Sequence, residues 1–142
     1  MATKKYFATA DTTITNAFRS NLRNRGTNAN MGASDIMEVF SIYGQASSTS
    51  TELSRLLVRF PINKISANRT AGLLPASGSV NFFLNLTNAR SSETVPRDLQ
   101  LNVYAVSRSW QEGTGLDMIE YEDVVAKGDI GATWMSASST EA

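Results

Sequence analysis

The side chains best suited to chemistry are carboxylates gathered late in the chain: Glu112, Asp117, Glu120, Glu122 and Asp123. Carboxylate oxygens suit calcium, which takes about six to eight ligands. Glu112, Asp117 and Glu120 are therefore candidate ligands for a structural calcium ion. Their spacing fits no EF-hand loop, and an acidic run is more commonly a solvated surface. Two such groups could also form the carboxylate pair of a glycosidase, but the spacing implies no convergent pocket. Histidine and cysteine are absent from all 142 residues. That removes imidazole acid–base catalysis, thiol nucleophiles, Cys/His zinc sites and disulfides. The expectation is a protein that works by contact, not an enzyme, with no required cofactor.

Four other side chains are candidates for that contact. Trp110 and Trp134 flank the acidic stretch, and an exposed aromatic beside carboxylates can stack on a sugar or anchor a protein interface. The plainer reading has Trp110 closing the open end of a fold, since aromatics are commonly core residues. Arg55 and Arg59 share one face of a strand pattern, about 13 Å apart at roughly 3.3 Å per residue. They suit the acidic tail of a neighbouring copy, or they protect a strand edge by charge. Asn28, Asn30 and Asn68 need nothing beyond turn geometry.

The net charge of zero hides an uneven distribution. Residues 1–110 carry 12 Lys/Arg against 6 Asp/Glu, whereas residues 111–142 carry 1 against 7. Such asymmetry suits pairing between halves or between copies. The basic residues are scattered, without an aromatic–basic platform, which argues against nucleic acid as a partner. No apolar run approaches the roughly 20 residues of a membrane span, and Met1–Phe7 is too short in apolar length for a signal peptide. A soluble protein made in the cytoplasm is expected.

The elements that must position these residues read as strands. Ser and Thr number 31 and Asn 11, a polar content that favours turns and solvated strand faces over helix interiors. Strand patterns occur over residues 6–16 (broken near Ala10-Asp11), 35–43, 53–60, 80–87 and 99–107. In 53–60 the alternation places Leu56, Val58 and Phe60 inward and Arg55, Leu57 and Arg59 outward, with Pro61 ending the strand. Residues 80–87 alternate most cleanly, Val80, Phe82, Leu84 and Leu86 against Asn81, Phe83, Asn85 and Thr87. One or two helical turns are expected over 62–71, with Ile62 and Ile65 toward the core. A short helix over 119–126 and the start of a strand over 132–135 complete the pattern. The fold class implied is an all-β, jelly-roll-like antiparallel sandwich, built as a single domain over 1–142.

Ala10-Asp11-Thr12-Thr13-Ile14, Asn30-Met31-Gly32-Ala33-Ser34, Arg55-Leu56-Leu57-Val58-Arg59-Phe60, Val103-Tyr104-Ala105-Val106 and Trp110-Gln111-Glu112-Gly113 follow one another in an order that resembles the DNRLRE-type β-sandwich domain. That domain is related to carbohydrate-binding modules. The segments 110–118 and 131–138 look like the version carried by virion structural proteins of tailed bacteriophages. The resemblance implies a jelly roll, often with a structural calcium ion. It also implies a place in a virion as capsid decoration, neck or tail component, with other virion proteins or copies of the chain as partners. A carbohydrate-binding module for host-surface glycan is the alternative. Domains of this family usually continue past the second tryptophan, so the resemblance further implies either the N-terminal part of a longer chain or strands supplied by another molecule.

Overall fold

The computed structural model describes residues 3–90, 98–116, 121 and 131–138. The chain divides into two compact units: residues 1–60 with 108–142, and residues 61–107.

The first unit holds a three-stranded antiparallel sheet in the order β1-β3-β2, with β1 at Ala10–Thr15, β2 at Ser41–Tyr43 and β3 at Thr51–Arg59. The regular structure is thus mainly strand. β3 is central because its alternating, β-branched and aliphatic run pairs along both edges. Ala10 faces Arg59 and Thr15 faces Ser54 on one side, and Ser41 faces Leu53 on the other. β1 begins at Ala10, so the expected break near Ala10-Asp11 falls at the strand's start, and residues 6–9 are not strand. Paired residues in an antiparallel ladder share a face, so Ala10, Thr12 and Ile14 lie with Arg59, Leu57 and Arg55.

The expected strand over 35–43 shrinks to Ser41–Tyr43, and the reason is visible in its hydrogen bonds. The Glu38 amide donates to Thr13 Oγ1 at 3.1 Å and the Phe40 amide to Ser54 Oγ at 2.7 Å. Side-chain oxygens take the donors that a longer ladder would have used. Residues 132–135 form a turn, not a strand. Thr133 Oγ1 accepts from the Met135 and Ser136 amides, both at 3.2 Å, while the Thr133 amide donates to the Ser136 carbonyl. The expected helix over 119–126 lies outside the described residues, apart from Tyr121.

The second unit contains one helix, α1 at Ile62–Thr70, and a 3-10 turn at Ser77–Ser79. Pro61 precedes the helix and its carbonyl accepts from the Lys64 and Ile65 amides; a residue without an N–H is tolerated there because the first turn has no partner for one. Gly72, at φ +71, ends the helix with its amide donating to the Arg69 carbonyl, a left-handed position that glycine adopts without steric cost. The helix buries no residue, and Ile62 is 63% exposed instead of facing a core. Residues 80–87 and 99–107, expected as strands, pair with no strand among the described residues. Apart from the half-buried Val80, their apolar side chains are exposed, Phe83 at 88% and Tyr104 at 80%. Alternation supplies a sheet-compatible face, but a strand also needs a partner for its backbone groups. Among the described residues no helix is long and apolar enough to cross a membrane.

Candidate functional site: an arginine–tryptophan face on the central strand

The face of β3 that carries Arg55, Leu57 and Arg59 was expected to point outward; Arg55 and Arg59 are exposed, and Leu57 between them is half-buried. Leu57 and Ile14 pack against a buried cluster of Ala10, Trp110 and Ala132, with Ala137 beside them. The opposite face, expected to point inward, buries Glu52 and Ser54 and half-buries Leu56 and Val58. Two Arg–Trp pairs frame Leu57. The Arg59 guanidinium lies 4.7 Å from the centre of the Trp110 ring and Arg55 lies 4.6 Å from that of Trp134. Arg59 is further tied down, since its Nη2 donates to the Trp110 carbonyl. Each stack contributes on the order of 0.5–1 kcal/mol at such partly exposed sites. The four contact candidates thus meet as two pairs on one strand face.

Trp110 is buried, so its faces are spent on the protein interior, whereas Trp134 is half-buried and Arg55 and Arg59 are exposed. A third cation, Arg25, stacks 4.2 Å from the Phe18 ring centre and donates from Nη1 to the Asn16 and Thr51 carbonyls. That bridge fastens the loop after β1 to the start of β3.

Asn30 positions the tryptophan-bearing segments, a role that turn geometry does not capture. Its Nδ2 donates to the Glu112 and Ala132 carbonyls, both at 2.9 Å. Its Oδ1 accepts from the Gly32 amide at 3.1 Å and the Gly115 amide at 2.9 Å. Two donors and two acceptor sites are all an asparagine side chain has, and each is used. Gly113, Gly115 and Gly131 are packed so closely around this residue that a Cβ at any of them would collide with it. The sequence signal was present as three glycines near the two tryptophans, but nothing in the spacing joined them to an asparagine some 80 residues earlier.

The carboxylates are placed as follows. Glu112 Oε1 accepts from the Asp11 amide at 2.8 Å. The Asn16 amide bonds across to β3, so even-numbered β1 residues face that partner and the Asp11 amide points away from it; Glu112 closes a donor on the outer margin of the sheet. Burial, and secondarily the Glu112 charge, raise the Asp11 carboxyl above its ordinary value. Asp117 and Glu120 lie outside the described residues, and among those described no group of three or more carboxylates, histidines or cysteines is poised to hold a metal. Glu52, almost fully buried on β3, accepts from the Phe18 amide at 2.8 Å. It belongs to the same buried strand face as Ser54 and lies outside the strand expected over 53–60.

This arrangement presents cations on a rigid strand, backed by indoles, and suits the recognition of anionic or planar groups. No protein-family model, curated protein or solved structure matches the chain.

Proposed function

We propose that this chain is a non-enzymatic structural protein of a tailed-bacteriophage virion, a capsid-decoration, neck or tail component that acts through protein–protein contacts. The observation that carries the reading is the exposure of two uncharged, alternating segments, residues 80–87 and 99–107. Phe82, Phe83, Leu84, Leu86, Leu99, Leu101, Val103 and Val106 would be an aggregation hazard on an isolated particle-free protein. They make sense on a chain completed by neighbours. In the assembled state these segments enter a second sheet, which gives the jelly-roll-like sandwich its other layer. The order of sequence motifs supports the virion assignment in particular, and the absence of imidazole and thiol supports a role without catalysis.

The test is to image purified particles by cryo-electron microscopy and identify their proteins by mass spectrometry. The chain is expected at fixed stoichiometry in a repeating position, with 80–87 and 99–107 paired to neighbouring strands. Its absence from particles, or the finding of both segments unpaired there, defeats the reading. The alternative, a module that binds host-surface glycan, draws on the partial exposure of Trp134 beside Arg55; sugar binding on a glycan array, lost in Trp134→Ala, would favour it. Burial of Trp110 weighs against that alternative, because a sugar needs an open ring face.

A further inference from the structure

We propose that Arg55, held on the Trp134 ring, is the docking point for a carboxylate of a second copy of this chain. The inference rests on the contact reading above and narrows it to one of the two arginines and to a bidentate contact with a second copy. Arg55 is exposed, and its guanidinium makes no hydrogen bond or ion pair among the described residues. The other stacked arginines differ: Arg59 is spent on the Trp110 carbonyl and Arg25 on those of Asn16 and Thr51. A guanidinium resting against a ring keeps its edge N–H groups available, and their planar fork matches a carboxylate in two parallel hydrogen bonds. The indole also fixes the side chain in advance, so less rotamer freedom is lost on docking. Among the described residues, Arg55 is a prepared donor without an acceptor.

The charge distribution identifies the partner. Residues 111–142 hold seven acidic side chains against one lysine, and residues 1–110 hold the opposite excess. One copy's basic strand face meeting another's acidic stretch satisfies both. Such a contact joins unlike patches, so it repeats from copy to copy and builds a ring or an extended array. An anionic glycan could supply a carboxylate too, but it would leave the acidic excess without a counterpart.

Sedimentation of the full chain over a range of concentrations, in low salt and in 1 M NaCl, tests the proposal. Wild type is expected to self-associate in low salt and to weaken in 1 M, where charges are screened within about 3 Å. Arg55→Glu, checked by circular dichroism for an unchanged fold, should weaken association by about tenfold or more, and Arg55→Lys, which keeps the charge but loses the fork, by a smaller factor. Carbodiimide coupling of mixed nitrogen-14 and nitrogen-15 copies of Arg55→Lys should then join residue 55 to a carboxylate in 111–142 of the other copy. The proposal is overturned if wild type stays monomeric, if Arg55→Glu associates like wild type, or if every cross-link at residue 55 falls within one copy. It is equally overturned if an anionic glycan binds wild type but not Arg55→Glu without self-association. A monomer that is nevertheless found in particles would sink this inference and spare the virion reading; copies joined through residue 55 but absent from particles would do the reverse.

Discussion

At the scale of single residues, the fold depends on polar side chains that have no unused valence. Asn30 joins its own loop to the segments around Glu112 and Ala132 through four hydrogen bonds. Asn30→Ala leaves two carbonyls and two amides without partners, at about 1–3 kcal/mol for each that water cannot reach. The expected loss is roughly 3 kcal/mol or more in urea denaturation. Asn30→Asp should be worse at neutral pH, since it turns an oxygen toward carbonyls that need a donor. Asp11 gives a prediction of opposite sign. Its carboxyl is raised by burial and by the Glu112 charge, so the folded state binds its proton more tightly than the unfolded chain does. The ionised form therefore costs stability above the folded value, and the cost fades as pH falls through it, vanishing below the ordinary aspartate value of 3.8. Asp11→Asn should be more stable than wild type at pH 7, with the difference closing in denaturation curves taken below that value.

At the scale of elements, strand identity was legible where alternation coincided with a partner. β3 and its arginine face could be read from residues 53–60, and one or two helical turns from residues 62–71. What could not be read was that Leu57, between the two exposed arginines, would be packed, because that depends on Trp110 and Ala132 returning from far along the chain to meet it. The pairing of Arg55 with Trp134 and of Arg59 with Trp110 was hidden for the same reason: each type was identifiable as a contact residue, but their meeting is a tertiary fact. Residues 35–40 failed as a strand because hydroxyls on β1 and β3 compete for their amides, and Ser54 is the clearest case. It accepts from the Phe40 amide and donates to the Glu38 carbonyl at 2.9 Å. Ser54→Ala should cost about 1–2 kcal/mol and speed amide exchange selectively at Phe40 and its β2 neighbours, while β1 remains protected.

For the whole molecule, the contrast lies between a unit stitched by hydrogen bonds and one that displays its apolar side chains. If 80–87 and 99–107 are contact segments, changing them should not unfold the chain. Phe83→Ser and Tyr104→Ser, at positions 88% and 80% exposed, are expected to leave the denaturation midpoint within about 0.5 kcal/mol of wild type, as surface substitutions do. The same variants should incorporate poorly into particles, measured by quantitative mass spectrometry against wild type. A large loss of stability in the isolated chain would mean that these side chains serve the monomer.

The bond from the Asp11 amide to Glu112 makes the sheet lopsided. On the β1 flank a carboxylate already occupies a rung where an incoming strand would have to begin. The β2 flank is short and solvent-facing throughout, with Tyr43 70% exposed. Any lengthening of this sheet by another molecule is therefore one-sided, admitted beside β2 and refused beside β1, so that two copies joined through their sheets would meet β2 to β2 and stop there.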